Sequence, residues 1–459
     1  MACGRDARSN LKGFSKRLGF DLSGSPSPDI PPPPVDEEKP YKAVTRWFIF
    51  FMLRTRQGLG MMDRLGRWRV TKPLGWIMLA IVPFAGLLAL YVISFEVSAL
   101  YFSPQGHQII SDVVTISPLA NFLLPGINPY LPLSVWLAVI VAVVIHEASH
   151  GIVARSLGLR IKSAGVLLLV ILPIGAFVEV DDKQMKEVKS RDSLRVLGAG
   201  SGINFIVGVA CLLLLIVTVS SMAPSAKGAA IVGVVPGSPA SAAGIQPGDF
   251  ILAIDNAPLT DLGVLRNGTF TVGESVSLTV WHAGQARTVN DVVLSNYTVT
   301  VLNKTSGQST QVVYPFLGVD TVSYAGLKGI SNGYVNYYRT SPLAYLVEIP
   351  TFGAAQTSVP FSTILSAVYS SPFGGLTPLV TSALYWMFFV NFNLAIFNSL
   401  PIYPMDGGQA FETFLRGAGR GRISDELARR VTTGVTLAVF FALFAVIAGP
   451  YIANAFPSY

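Results

Sequence analysis

Five long apolar stretches divide this chain, and each is long enough to cross a lipid bilayer as a helix. Since a membrane-spanning helix needs about 20 apolar residues, we place the spans at residues 74–95, 133–154, 196–220, 379–400 and 431–455. Residues 47–51 form a shorter apolar run inside the basic and aromatic segment 41–73, which predicts a helix in the membrane interface. The pattern therefore predicts a polytopic α-helical membrane protein with five to six transmembrane helices.

Residues 226–322 follow a different pattern, in which apolar and polar positions alternate between glycine and proline turns. Alternation with a period of two is typical of strands that bury one face. We therefore expect a small β-rich domain between the third and fourth spans. Residues 334–375 are rich in Tyr, Phe, Ser and Pro without periodicity, and we interpret them as interfacial segments. Residues 1–40 are polar and proline-rich, which predicts a disordered tail.

Charged residues are few, and the basic ones flank the apolar spans. Only 13% of the 459 residues are charged, 51% are hydrophobic and the net charge is +7. This placement indicates a lipid bilayer as the partner and no nucleic acid. Lys and Arg number 14 in residues 1–73, eight in 155–195, five in 412–430 and none in 96–132. Because basic loops stay cytoplasmic, we expect a plasma-membrane protein with a cytoplasmic N-terminus and an extracytoplasmic β-rich domain.

The second span contains the zinc-hydrolase motif HExxH, formed by residues 146–150. Two histidines four residues apart share one face of a helix, so His146 and His150 can bind one metal ion. Glu147 between them can deprotonate a water molecule. Two histidines that are merely hydrogen-bonded in a helix are the alternative, but ionisable groups at membrane depth are costly and usually functional. The motif predicts hydrolysis inside the membrane with one Zn²⁺ per chain.

A catalytic zinc site usually has three protein ligands, so a third ligand must come from elsewhere in the chain. The acidic residues near the cytoplasmic span ends are Glu179, Asp181, Asp406 and Glu412. Spacing alone does not choose between them. Pro401 and Pro404 interrupt a helix and the glycines after Asp406 permit a close turn, which would let this carboxylate face the histidines.

Residues 398–408, Asn-Ser-Leu-Pro-Ile-Tyr-Pro-Met-Asp-Gly-Gly, resemble the NxxPxxxxDG motif of the site-2 protease family of intramembrane zinc metalloproteases. HExxH, the β-rich domain and this motif also follow one another in the order typical of that family. The resemblance implies a catalytic core in residues 131–222 and 376–430, with Asp406 as the third zinc ligand. It also implies that Asn398 hydrogen-bonds the scissile carbonyl or the substrate. The alternative role for Asn398 is to satisfy backbone groups freed near the prolines.

Residues 165–179 are apolar but too short to cross the bilayer and return as a helix. They resemble the membrane-re-entrant β-hairpin of the family, which implies that Gly175 and Phe177 lie near the substrate. Gly198-Ala-Gly-Ser-Gly202-Ile-Asn204 opens the third span, and its small residues permit close helix approach. The family usually has Gly-Pro here, and Ser201 departs from it, so Asn204 is only a partial match to a substrate-site residue.

Residues 228–255 resemble the PDZ domain of bacterial-type membrane and periplasmic proteases, with Pro-Gly-Ser-Pro-Ala before a short helix and Gly-Ile-Gln-Pro-Gly-Asp before a strand. The resemblance implies a peptide-carboxylate loop around Leu317 and Gly318 that binds peptide C-termini. An ordinary strand is the alternative at that position.

We interpret the whole as an intramembrane zinc endopeptidase that cleaves transmembrane protein substrates in regulated intramembrane proteolysis. In this interpretation His146, His150 and Asp406 bind zinc, and Glu147 is the general base and then the proton donor to the leaving amine. Two alternatives belong to other classes. A catalytically silent PDZ-bearing scaffold would not need Glu147, and a metal transporter would place ionisable residues along several spans.

Overall fold

The computed structural model describes residues 44–47, 50–103, 135–169, 172–302, 309–340, 361, 364–419 and 423–455. The tail predicted at residues 1–40 lies outside the described residues. The chain divides into two compact units, of which the first comprises residues 1–210 and 386–459 and the second residues 211–385.

The helices, in chain order, are α1 (Leu59–Gly66), α2 (Thr71–Phe102), α3 (Val135–Ser156), α4 (Asp182–Glu187), α5 (Ser190–Ser220), α6 (Pro239–Ala242), α7 (Tyr324–Thr340), α8 (Thr377–Asn398), α9 (Asp406–Ala418) and α10 (Asp425–Ala455). The strands are β1 (Val44–Trp47), β2 (Phe50–Thr55), β3 (Ile161–Leu169), β4 (Leu172–Val180), β5 (Ala223–Pro224), β6 (Ala229–Val234), β7 (Phe250–Ile254), β8 (Ala257–Pro258), β9 (Ser275–His282), β10 (Gln285–Val293), β11 (Ser295–Leu302), β12 (Ser309–Phe316), β13 (Val319–Val322) and β14 (Tyr369–Ser370).

Five of the described helical segments are long and apolar enough to cross a membrane: Thr71–Phe102, Val135–Ser156, Ser190–Ser220, Gly374–Asn398 and Asp425–Gly449. They contain the five predicted spans, apart from residues 133–134 and the ends of the last two. The helices of the first and third spans, α2 and α5, are longer than the predicted apolar runs, because flanking residues that include polar ones continue the helical turns. The chain is therefore a polytopic helical protein with β-sheets between its spans.

The strands of the first unit form one antiparallel sheet in the order β1-β2-β3-β4. The interfacial helix expected around residues 47–51 is wrong for the residues described there, because Val44–Trp47 and Phe50–Thr55 are strands. β2 pairs with β3 from Phe50↔Leu169 to Thr55↔Ala164. The segment is rich in aromatic and β-branched residues, which favour strands, and an unpaired edge of β3 supplies the hydrogen-bonding partners that an isolated segment lacks.

The helices of the first unit pack closely around α3. Its buried cluster consists of Met78, Val153, Ala154, Leu159, Val196 and Ala199, which come from α2, α3, α5 and the turn after α3. A Cβ at Gly202 would lie 2.6 Å from the Cα of Met78, so only glycine permits α5 to approach α2 this closely. α1 packs on the end of α3, where Arg155 Nε lies 2.7 Å from Asp63 Oδ1. This packing fixes the helix that carries HExxH.

The second unit contains the predicted β-rich domain. Its main sheet has the order β10-β9-β7-β6-β13, with β8 paired to β7, and β11 and β12 form a separate hairpin. Strand residues and residues of the short helices and turns between them build one core: Ala229, Ile231, Ala240, Ile245, Ile251, Ile254, Leu259, Leu262, Leu265, Val276, Leu278, Val280, Val292, Leu294 and Leu317. Of the segment 334–375, residues 334–340 form the end of α7. Tyr334 in this part contacts Phe361, and Phe361 contacts Tyr369, so the three rings form an aromatic cluster.

Candidate metal centre

The two histidines of HExxH lie side by side on α3. Their ring centroids are 4.9 Å apart, as expected for residues one helical turn apart. Both are buried, with 4% of His146 and 9% of His150 exposed. Since α3 is continuous through both residues, their side chains lie on the same face of the helix.

Neighbouring groups on α5 orient both imidazoles. His150 Nδ1 lies 2.7 Å from the carbonyl oxygen of Val196, to which it donates its proton, leaving Nε2 as the free lone pair. His146 Nδ1 lies 3.3 Å from Asn204 Nδ2, while the buried Oδ1 of Asn204 has no hydrogen-bond partner among the described residues. Rotating the Asn204 side-chain amide by 180° exchanges its nitrogen and oxygen, so that Oδ1 accepts a hydrogen bond from Nδ1–H of His146. Both histidines then present an unprotonated Nε2.

Asp406 reaches the histidines from a distant part of the sequence. It is the first residue of α9, and its Oδ2 lies 2.9 Å from His146 Nε2 and 3.1 Å from His150 Nε2. The two glycines after it make this possible, because a Cβ at Gly407 or Gly408 would overlap the backbone of residues 399–403. Burial alone would raise the pKa of Asp406, but without a metal ion the imidazoles of His150 and His146, in their protonated form, outweigh burial and lower it.

The three side chains fit a divalent metal ion. One ligand atom from each of His146, His150 and Asp406 lies within 4.8 Å of the others, and two imidazole nitrogens with one carboxylate oxygen form a typical catalytic zinc set. Gly200 faces this group from α5, and a Cβ there would overlap both Nε2 atoms. The absence of a side chain at Gly200 therefore leaves the space that a metal ion with three ligands needs.

The other three acidic candidates are engaged elsewhere. Glu179 accepts a hydrogen bond from Ser163 Oγ at 2.9 Å and faces Arg54. Glu412 pairs with Arg416 on its own helix. Asp181 caps α4 by accepting from the backbone N–H groups of residues 183 and 184. Its slight burial opposes ionisation, but these hydrogen bonds and nearby Lys162 lower its pKa.

Glu147 lies beside the three-residue group and is held by the hairpin. The backbone N–H of Val178 on β4 donates to Glu147 Oε2 at 3.0 Å. Asn398, the last residue of α8, is also brought to the site, with its Nδ2 3.4 Å from His146 Nε2. The site thus combines three side chains that could hold a metal ion, a separate carboxylate and an amide, which are the groups that metal-assisted hydrolysis uses.

The remaining predicted site residues are in other places. Gly175 and Phe177 lie on β4, and Phe177 packs over Gly165 of β3, whose added Cβ would lie 2.5 Å from the Phe177 ring. Leu317 is only 2% exposed in the core of the β-rich domain, and Gly318 adopts a φ of 84° against Ser238. Asn204 contacts His146 and is fully buried. In this geometry it lies behind a histidine, and its role at the substrate site stays a prediction.

Sequence reasoning missed two contributions to the site. Gly200 was interpreted only as a small residue for helix approach, although it faces the two imidazoles. The Val178 N–H that holds Glu147 is a backbone group and has no sequence signal. The run of glycines at 198, 200 and 202 was the one available indication that α5 closely approaches its neighbours.

Known proteins match this chain over most of its length. The model for Peptidase family M50 matches residues 134–443, which is more than half of the chain. A protein of Methanocaldococcus jannaschii, named as uncharacterized, is 32% identical over 159 residues, which are 35% of this chain and 41% of that protein. A protein of Clostridium perfringens named "Putative zinc metalloprotease" is 26% identical over 321 residues, 63% of this chain and 89% of that protein. The aligned part thus spans less than half of the first relative and most of the second. The extent of the family match shows that this chain belongs to peptidase family M50, the family of the site-2 proteases.

Proposed function

We propose that this protein is a zinc-dependent endopeptidase that cleaves transmembrane segments of other proteins within the lipid bilayer. The convergence of His146, His150 and Asp406 within 4.8 Å carries this proposal. Two of these residues lie on a helix that is long and apolar enough to cross a membrane. Polar groups in such a setting are costly and are usually functional.

His146, His150 and Asp406 would hold the zinc ion, which when bound supplies a Lewis acid that polarises a carbonyl and makes water more acidic. Glu147, held by the Val178 N–H, accepts the proton of the attacking water. It then donates that proton to the nitrogen of the leaving amine. Asn398 donates a hydrogen bond from its amide to the carbonyl of the scissile peptide.

The hairpin of β3 and β4 provides a place for an unwound substrate. Among the described residues, β4 pairs only with β3, so its outer edge is available. Val178 donates outward to Glu147, and because backbone groups of a strand alternate in direction, Ala176 presents its N–H and C=O along the same edge. A substrate strand added there would lie beside Glu147. In this proposal the hairpin enters the membrane, with Gly175 and Phe177 near the substrate.

The β-rich domain would act on substrate choice. We assign it as an extracytoplasmic PDZ domain in a multi-pass plasma-membrane protein whose N-terminus is cytoplasmic. Peptide C-termini exposed by an earlier cleavage would bind near Gly318, which would place the protein in regulated intramembrane proteolysis. The sequence pattern at residues 228–255 and the distribution of Lys and Arg support these assignments.

The decisive experiment compares the wild type with Glu147→Gln in proteoliposomes containing a single-span test substrate. We expect the wild type to cleave the substrate and Glu147→Gln to retain zinc, measured by atomic emission, while losing cleavage. Glu412→Gln, which removes a carboxylate that pairs with Arg416, is the matched control and should cleave normally. A wild-type protein that binds zinc and substrates but cleaves none would instead be the scaffold described above.

A further inference from the structure

Arg54 of β2 reaches across the sheet of the first unit and contacts side chains on two other strands. Its Nη1 donates to Thr45 Oγ1 at 2.5 Å on β1. Its Nε lies 3.7 Å from Glu179 Oε2 on β4. Its Cζ lies 6.0 Å from the centre of the Phe177 ring, also on β4, which is within range of a cation–π interaction.

A glycine makes this crossing possible. Arg54 pairs with Gly165 on β3, and Gly165 pairs with Phe177 on β4, so these positions form one row on one face of the sheet. Any larger residue at Gly165 would collide with the Phe177 ring. Arg54 therefore extends over β3 through the space that Gly165 leaves.

The two β4 residues that Arg54 contacts lie on either side of Val178. The N–H of Val178 donates to Glu147 at 3.0 Å, and its side chain packs on α3, where a Cβ at Gly151 would lie 3.2 Å from Val178 Cγ1. Residues 177 and 179 share the opposite face of the strand. Because Arg54 holds both Phe177 and Glu179 from that face, the direction of the Val178 N–H between them is fixed.

We propose that Arg54 is a positioning residue for Glu147, acting through Phe177, Glu179 and the Val178 N–H. The proposal rests on the proposed function, since it concerns the orientation of the carboxylate that receives the proton. Arg54 does not itself touch the reacting atoms. Arg54 connects the N-terminal strands, which precede the first span, to the strand β4 that holds Glu147 beside the metal centre.

The test compares Arg54→Gln with the wild type and with Lys162→Gln. Lys162 is the matched control, because it lies on β3 of the same sheet and pairs with Asp181 at the same distance of 3.7 Å. For Arg54→Gln we expect kcat to fall about tenfold, less than the roughly hundredfold loss that a misplacement of a reacting group by about 1 Å can cause, because Phe177 and Glu179 keep their other contacts. KM and zinc content should stay near wild-type values. Lys162→Gln should match the wild type, and Arg54→Lys should recover part of the loss because a lysine keeps the charge.

A second readout needs no catalysis. Amide hydrogen exchange of residues 176–180 should be faster in Arg54→Gln than in the wild type and unchanged in Lys162→Gln. Exchange in β9, which belongs to the other unit, should be equal in all three proteins. A general loss of stability would instead raise KM, lower zinc content and speed exchange throughout the first unit, and it would overturn the proposal.

The outcome for Arg54 is separate from the outcome for the proposed function. If the wild type cleaves and Arg54→Gln shows the same kcat and the same exchange, Arg54 has no positioning role. If the wild type cleaves nothing, the proposed function fails, and the exchange of residues 176–180 still decides whether Arg54 holds β4.

Reversing the pair with Arg54→Glu and Glu179→Arg should restore the kcat lost in either single variant. Failure to do so would show that Arg54 does not act through Glu179.

Discussion

The two units of this protein bury polar side chains in opposite ways. In the first unit, His146, His150 and Asn204 are buried among apolar helices and contact one another or Asp406. In the second unit, buried Ser238 and Asp249 each accept a hydrogen bond from a nearby backbone N–H, and each has a second partner on a separate segment, the Gly318 carbonyl for Ser238 and His282 for Asp249. A buried polar group costs free energy unless it is hydrogen-bonded. In the second unit these partners join neighbouring strands and turns, whereas His146, His150 and Asn204 of the first unit converge with Asp406 on one point, which is the arrangement that a metal site requires.

The comparison predicts that zinc binding depends on the first unit alone, and most of all on Asp406. Asp406→Ala removes the one carboxylate from the ligand group. Zinc affinity should therefore fall by far more than the tenfold to hundredfold loss that is typical when a residue hydrogen-bonded to a metal ligand is mutated. Competition with a metal-binding dye measures it. Glu412→Ala, six residues later on the same helix, is the control. Full zinc content in Asp406→Ala would mean that the third ligand is another residue.

Gly200→Ala should have the next largest effect. A single methyl group there would overlap the Nε2 atoms of both histidines, so α5 must shift or the imidazoles must turn away from the metal. We expect zinc content and cleavage to fall together in the same assays. Gly434→Ala is the control, because no atom lies within 4 Å of its added Cβ and alanine favours the helix by about 1 kcal/mol. Equal zinc affinity in both variants would show that Gly200 is not needed for the metal site.

Asn204→Ala should have a smaller effect, because Asn204 supports a ligand without being one. Losing the partner of His146 Nδ1 leaves the ring free to rotate, and we expect zinc affinity to fall about tenfold to hundredfold. Activity at saturating zinc should largely return, which distinguishes a support for His146 from a substrate contact. Activity that stays low at saturating zinc would favour the substrate role expected from the sequence.

The sequence predicted the helices and the metal-binding residues through different kinds of signal. The five apolar runs were sufficient for the helices, since length and composition decide whether a segment can span a membrane. HExxH selected His146 and His150 because the helical period places them on one face. Asp406 was one of four open candidates until the family resemblance singled it out. Its distance from the histidines depends on how α9 packs against α3, which no local pattern encodes.

The strands at residues 44–55 illustrate what local reasoning could not reach. Their apolar and basic residues suited an interfacial helix as well as a strand. The choice was decided by β3, more than 100 residues later in the sequence, whose edge pairs with residues 50–55. The same long-range pairing brings Arg54 over β4. Strand pairings of this kind are set by partners rather than by propensity, so the contact was absent from the sequence interpretation.

The smallest expected effect tests the comparison most directly. Replacing residues 226–322 with a flexible Gly-Ser linker removes the core of the second unit, including Leu317, but none of the residues within reach of the metal. Zinc affinity should therefore equal that of the wild type, and cleavage of a substrate with a short external stub should persist. Discrimination against substrates with bulky external domains should decrease, because the proposed PDZ domain would no longer select them. Leu317→Asp, which places a charge in the buried core of the domain, should unfold that domain and reproduce the deletion. Loss of zinc in either variant would show that the two units depend on each other for folding, and the contrast between them would not hold.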